Sequence, residues 1–294
     1  MDNTRTYPHK KVIDNTALSC MQLNLHQSKP ATDNLNLLMN EAHMDIALLQ
    51  EPYVYQNQVT VISRKYRIFS SGQGKKTAAI VVTYKSLSVL LVHQMLEEDI
   101  FVVEVTHGNQ NFIAVSLYLD IGKDITEDFN KIKNVLQFAK GKGLLVTIDS
   151  NARSKTWHDV IRNKRGRLLE DFFVGNRLHI INEDSRLTNF ESNRGNTNVD
   201  LTLTDNKMVC LVKEWQCNEQ ESFSDHRIFT FRVEKHKGAT RKYTHHRLKC
   251  VTSEEGYKKF EKNFIAEIRQ NFALAGSGSL DDGLCTATSL DKDI

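Results

Sequence analysis

Six stretches of this chain run apolar for several residues and carry an acid, an amide, a phenol or an imidazole at one end. "ALSCMQLNL" (17–25) has Asn24 near its end, and "DIALLQE" (45–51) closes on Gln50 and Glu51. "FIAVSLYL" (112–119) has Tyr118 near its end, and "LLVTIDSN" (144–151) runs into Asp149 and Asn151. Asp200 opens onto "LTLT", while Asp225 and His226 precede "IFTF". Short continuous apolar runs suit strands buried on both faces. Such a chain must cover its sheets with further layers, and its polar groups gather where the strands stop.

The remaining pattern fills in those layers. Further β-like runs occupy 78–84, 87–92, 100–106, 178–182 and 209–216, and the run that begins with "IFTF" extends over 228–233. Ser28 and Pro30 start a helix whose Ala31, Leu35, Leu38, Met39 and Ala42 share one face. Thr126 is expected to cap a second helix, with a stripe of Phe129, Ile132, Val135, Leu136 and Ala139 stopped by Gly141 and Gly143. Leu168, Leu169, Phe172 and Phe173 mark a third, ended by Gly175. Runs of strands broken by single helices fit an α+β sandwich of two mixed β-sheets with helices outside. Residues 1–17 read as a loose segment and 18–236 as the domain. Residues 237–294 read as a basic linker, one amphipathic helix on Tyr257, Phe260, Phe264, Ile265, Ile268 and Phe272, and a disordered tail.

Composition narrows the function classes. Five cysteines, odd in number and without C-x-x-C spacing, argue against a disulfide scaffold or a zinc site and for a reducing compartment. The start lacks an apolar core of the signal-peptide kind, and no run approaches the ~18 apolar residues of a membrane helix. The expectation is an intracellular protein with no membrane partner. A net charge of +3 is compatible with nucleic acid without pointing to it.

The strand-end residues carry more. A lone strand-end acid is usually a turn former or a cap. Several acids, one histidine, a few amides and a tyrosine together are what metal-assisted attack on a phosphate ester requires. The ester is anionic and repels nucleophiles, so a hard divalent cation is used to neutralise its oxygens, and Mg²⁺ selects carboxylate and amide oxygens. Water must be oriented and deprotonated, which suits Asp149 braced by Asn151. His226 can hydrogen-bond the phosphate or move a proton, with Asp200 fixing its tautomer and favouring imidazolium.

The string Leu23-Asn24-Leu25-x-x-Ser28, then "LLQEPYV", "SLYLD", "IDSNARSKTWHD", "GNTNVDLTLT" and "FSDHRIF", resembles the endonuclease/exonuclease/phosphatase superfamily in motif order. Within it the chain resembles the apurinic-type endonuclease domains of non-LTR retrotransposons, over about residues 18–233. The resemblance implies a four-layer α/β/β/α sandwich, deoxyribonuclease I-like. It also implies Mg²⁺-dependent nicking of one DNA strand, with Mn²⁺ as a substitute, a 3′-hydroxyl product for target-primed reverse transcription, and a nuclear location. By position it makes Glu51 a metal ligand with Asn24 and Asp225 near it, and Asp149 and Asn151 the holders of the attacking water. Asp200 and His226 become a dyad on the phosphate, and Tyr118 a hydrogen-bond donor to a phosphate oxygen. The chain departs from the pattern at Ser150, where many relatives carry an aromatic residue. Such relatives continue into a reverse transcriptase, absent from these 294 residues, so an excised domain or a truncated element copy is expected, with that enzyme as a partner.

Other segments have a bland reading beside a sharp one. Arg153 is expected to face phosphate. Asn193, Arg194 and Thr197, in "FESNRGNTN" (190–198), either read base edges from a groove-probing hairpin or sit in a plain turn. "RNKRGR" (162–167) either tracks a DNA backbone or is the solvated start of a helix. Lys75 and Lys76 read as solvated, Trp157 as packing, His245 and His246 as surface residues, and Cys210 and Cys217 as core or free thiols. Two rival functions stand beside the nuclease: a phosphomonoesterase or phospholipase of the same fold, and a non-catalytic DNA-binding remnant.

Overall fold

The apolar runs become the central strands of two six-stranded sheets. The computed structural model describes residues 17–60, 62–70, 76–83, 87–193, 195–235, 262 and 265. The chain divides into two compact units, Met1–Lys237 and Gly238–Ile294. In the second, Lys262 and Ile265 are described, and both are helical. The rest of the expected amphipathic helix, the tail, the loose start, Lys75, His245 and His246 lie outside the described residues.

The first unit begins with β1 (Ala17–Asn24), α1 (Lys29–Glu41), β2 (Ile46–Gln50) and a small hairpin of β3 (Val54–Tyr55) and β4 (Gln58–Val59). It continues through β5 (Arg67–Ser70), β6 (Ala78–Val82), β7 (Ser88–Leu91), β8 (Ile100–His107), β9 (Gln110–Tyr118) and α2 (Ile125–Phe138). Then come β10 (Gly143–Asp149), α3 (Lys164–Gly175), β11 (His179–Ile180) and a second hairpin of β12 (Phe190–Ser192) and β13 (Gly195–Thr197). The unit ends with β14 (Asp200–Thr204), β15 (Val212–Cys217) and β16 (Phe229–Glu234). The sheet orders are β15-β16-β1-β2-β6-β5 and β11-β14-β10-β9-β8-β7. Each mixes parallel pairs, such as β1 with β2 and β9 with β10, with antiparallel ones.

Alternate residues along the central strands serve two cores. Leu18, Ile46, Ile80, Phe101, Leu145 and Phe231 pack between the sheets. Met21, Leu23 and Ala47 face outward onto Leu35, Leu38 and Met39 of α1. Val115, Leu117, Ile148 and Leu201 face outward onto α2 and α3, meeting Ile132, Val135, Leu169 and Phe173. The result is the four-layer α/β/β/α sandwich of the deoxyribonuclease I type. Among the described residues, no helix is long and apolar enough to cross a membrane.

The helix starts explain where the loops turn. Ser28 Oγ accepts from the Ala31 amide at 3.2 Å, with Pro30 in the first turn. The second helix is capped by Asp124, which accepts from the Thr126 amide at 3.0 Å, and not by Thr126 itself. Glu127 and Asp128 in that first turn favour the positive end of the helix dipole. β5 and the first small hairpin were not expected: their two to four residues are too short to show a period. Lys76 is buried, with Nζ 3.2 Å from Asn57 Oδ1, so it is not the solvated lysine expected. Cys210 and Cys217 are free thiols, as read.

Gly166, in the first turn of α3, lies against the loop that follows β10. A Cβ there would sit 2.1 Å from the Arg153 carbonyl oxygen. Gly166→Ala is therefore expected to lower stability by about 1–3 kcal/mol, although alanine is the better helix former by roughly 1 kcal/mol. A urea melt reads this directly, and an unchanged or higher midpoint would mean that the contact relaxes freely.

Candidate active site

The sheet register brings the strand-end polar residues together. Asp149, ending β10, stands opposite Asp200 on antiparallel β14 and opposite Tyr118 on parallel β9. In the other sheet, Asn24 ends β1 beside Gln50 of β2, and Glu51 follows at once. The side chain of Asn24 joins the two sheets, donating to Asp149 Oδ2 at 2.7 Å and to Glu51 Oε2 at 3.3 Å. Behind these groups lies a second polar layer. Gln50 Nε2 donates to Ser116 Oγ at 2.9 Å and Thr147 Oγ1 at 3.2 Å. Thr202 Oγ1 donates to Gln22 Oε1 at 2.9 Å and accepts from Trp215 Nε1 at 3.0 Å. Residues i and i+2 of a strand share a face, so Asn24, Tyr118, Asp149 and Asp200 stand two residues from Gln22, Ser116, Thr147 and Thr202 of this layer.

Two buried carboxylates directly across a ladder repel each other. The surrounding donors offset this. His226 Nδ1 lies 2.7 Å from Asp200 Oδ2, and the Asn151 amide donates to Asp149 Oδ1 at 3.1 Å. The offset is incomplete. Burial and the Asp200 charge push the Asp149 carboxyl up to about 7. Burial pulls the His226 imidazole down, but Asp200, Asp149 and Asp225 outweigh it and raise it to about 9. Near neutral pH His226 is an imidazolium, with Nδ1–H donating to Asp200 and Nε2–H left to point elsewhere. Burial and the charges of Glu51, Asp149 and Asp120 push the Tyr118 phenol above its ordinary range, with the Asn151 amide working the other way. Tyr118 therefore keeps its proton.

The raised histidine has a measurable consequence. A group held at about 9 when folded, against roughly 6.5 unfolded, stabilises the fold fully below the unfolded value. That stabilisation is lost as pH rises through the folded value. The stability difference between the parent and His226→Ala is expected to shrink between about pH 7 and 9. Denaturant melts at several pH values give it, and a pH-independent difference would deny the imidazolium.

The other expected residues fall around this pair. Glu51 has φ +43, a left-handed backbone rare for a glutamate, and its Oε1 accepts from Gln27 Nε2 at 3.2 Å. Asn151, at φ +47, suits that conformation better, and its Nδ2 donates to the Leu119 carbonyl at 3.1 Å. Asp225 is partly exposed, 3.4 Å from His26 Nδ1 and 3.8 Å from His226 Nε2. Asn193 is exposed at the tip of the β12–β13 hairpin and Thr197 pairs with Phe190 at its root, while Arg194 lies outside the described residues. Phe190 in turn packs on the His226 ring, centroids 4.8 Å apart. Arg153 Nε and Nη2 both lie against Asp159 Oδ1, at 3.0 and 2.9 Å. Trp157 is buried and donates to the Asn198 carbonyl at 3.1 Å, a packing role as read. In "RNKRGR", Arg162 pairs with Glu170 and Arg165 Nε donates to the Ser150 carbonyl at 3.0 Å.

A relay behind Asp200 was not foreseen. Asp159 Oδ2 accepts from the Asn198 amide at 2.8 Å, and Asn198 Oδ1 accepts from the Asn189 amide at 2.9 Å. Asn189 Oδ1 takes the Val199 and Asp200 amides at 2.8 and 3.2 Å. Nothing periodic marks these residues in the sequence; their one signal is amide richness just before Asp200.

The donor set suits a hard divalent cation. Carboxylate oxygens dominate it, and Asp200 Oδ1 is buried without a partner. Asp149, Asp200 and His226 each offer an atom within 4.8 Å of the others. A protonated imidazole ligates poorly, so the carboxylates are the better donors in this set.

A family described as "Endonuclease-reverse transcriptase" matches residues 112–230. The chain is 29% identical to the solved endonuclease domain of TRAS1, a telomere-specific non-LTR retrotransposon. That match has a TM-score of 0.68 and covers 75% of this chain and 100% of that one. These matches make the chain similar to the endonuclease/exonuclease/phosphatase superfamily. Within this superfamily it resembles the endonuclease domains of non-LTR retrotransposons. It is 25% identical, over 222 residues, to a putative 115 kDa protein in the type-1 retrotransposable element R1DM of Drosophila melanogaster, covering 72% of this chain and 21% of that protein. The chain thus spans about a fifth of that relative's length. The AP endonuclease of Leishmania major, at 9% identity and TM-score 0.60 over 75% of this chain and 88% of its own, shares the superfamily fold.

Proposed function

We propose that the domain Ala17–Glu234 is a Mg²⁺-dependent DNA endonuclease. In this reading it nicks one strand by water attack on the phosphodiester, leaves a 3′-hydroxyl, and serves target-primed reverse transcription with a reverse transcriptase as its partner. The observation that carries the reading is the junction of the two sheets, where Asn24 joins Asp149 to Glu51 and His226 holds Asp200.

Each residue then has a task. Asp149, raised to about 7, orients the attacking water and takes its proton. Asn151 braces it through the backbone amide. His226, protonated and fixed by Asp200, donates from Nε2 to a phosphate oxygen, and Tyr118 donates to another. Glu51, Asn24 and Asp225 hold the cation, which when bound neutralises charge on the phosphate and leaving oxygens. Asn193, Arg194 and Thr197 meet the DNA from the hairpin beside His226. Mn²⁺ substitutes for Mg²⁺ because it accepts similar oxygen donors.

Incubation with supercoiled plasmid, beside inositol phosphates and phospholipids, tests the reading. The expected product is an open circle that a DNA polymerase extends without prior phosphatase treatment. Hydrolysis of the small or lipid phosphates without plasmid nicking would move the site to the phosphatase or phospholipase class.

Glu51→Gln is expected to raise the Mg²⁺ concentration for half-maximal nicking by about 10–100-fold, since a charged ligand is lost while shape is kept. In the parent, Mg²⁺ should raise the melting temperature, because a ligand that binds the folded state alone stabilises it. Superimposed Mg²⁺ titrations of variant and parent would remove Glu51 from the ligand set.

A further inference from the structure

Phe223 is placed where a core residue would not be. Its side chain is 57% exposed, and its backbone stands at φ +59, a conformation that bulky residues avoid and glycine adopts freely. It lies two residues before Asp225, in the loop that delivers Asp225 and His226 to the site. Hydrogen bonds fasten that loop on both sides. The Phe223 amide donates to Glu221 Oε1 at 3.1 Å, and Ser28 Oγ donates to the Phe223 carbonyl at 3.2 Å. Asn34 Nδ2 donates to the Glu221 carbonyl at 2.9 Å, and Ser222 Oγ to the His226 carbonyl at 2.6 Å.

Strained backbone persists where its surroundings over-determine it, and such positions cluster at functional sites. A glycine would relieve the strain and remove the exposed ring, so folding alone gives no reason for a phenylalanine here. Another exposed apolar side chain, Ile121, lies three residues past the end of β9 at this end of the sheets. An acidic floor with an apolar rim suits a ligand that brings phosphates and flat apolar rings together.

Resting on the endonuclease reading above, we infer that Phe223 is a DNA-contacting residue whose ring stacks on a base flanking the scissile phosphate. Base–aromatic stacking tolerates any base, and apolar side chains inserted at a base step open it toward a bound protein. The fastened loop presents the ring already ordered, so little conformational freedom is lost on binding. Steps that open easily, the pyrimidine–purine ones, are then favoured as nick positions.

The test compares the parent with Phe223→Gly, Phe223→Asn and Phe223→Trp on one plasmid with Mg²⁺, measuring KM, nick positions and melting temperature. Glycine and asparagine both tolerate the left-handed backbone and lack the ring. Both are expected to raise KM about fivefold or more and to spread the nick positions, with the melting temperature unchanged or higher. Tryptophan is expected to keep KM within about twofold. Parent-like KM and nick positions in both ringless variants would overturn the inference while leaving the endonuclease reading intact. A lower melting temperature in both would make the ring a packing residue and would also overturn it. If the parent nicks no DNA, the endonuclease reading fails and takes this inference with it.

Discussion

Replacing His226 with alanine is expected to lower the nicking rate by about 10²–10⁴-fold, and adding Asp200→Asn to be nearly without further effect. Asp200 Oδ2 lies 2.7 Å from the imidazole, and both groups are buried. The carboxylate fixes which nitrogen faces the substrate and holds the ring protonated. Once the imidazole is gone, that carboxylate has little left to orient. Residues acting as one unit are strongly non-additive. If Asp200 were only a structural residue at the start of β14, the two losses would multiply. The double-mutant cycle on nicking rate separates the cases, with melting curves run in parallel. Stable variants with multiplicative losses would dissolve the dyad.

Asp149→Asn is expected to be at least as severe, a loss of about 10³-fold or more, because it removes the group proposed to take the proton of water. Its effect on stability should run the other way. Asp149 is buried directly across the ladder from Asp200, and burial together with that neighbour raises its carboxyl. An asparagine keeps the shape, can accept from Asn24 through its own oxygen, and removes the repulsion. At pH 8 the variant should melt at or above the parent temperature while losing activity, as groups that destabilise a fold for function do. A variant that melts far lower would mean that the carboxylate serves the fold instead.

The central strands and the polar cluster were legible for one reason. A strand buried on both faces reads as an unbroken apolar run, so the point where polarity returns marks the end of the sheet. Asp149, Asp200 and Tyr118 fall in register because strand ends in adjacent positions share one edge. β5 escaped, since four residues beginning with an arginine at a sheet edge show no run. Asp124 and Thr126 are both good caps two positions apart, and propensity does not choose between them. The pairing of Arg153 with Asp159 was not legible, because the acid is six residues on, across a turn at 155–158 that no periodicity announces. The relay through Asn189 and Asn198 is likewise invisible, since side-chain to backbone hydrogen bonds between loops leave no spacing rule.

That the sheet-end cluster is the catalytic centre of a metal-dependent endonuclease is tested most directly on supercoiled plasmid. The parent and Asp149→Asn are compared side by side, each with Mg²⁺ and each with EDTA. Open circles are expected from the parent with Mg²⁺ alone. Nicking in EDTA, or equal nicking by a folded Asp149→Asn, would contradict it.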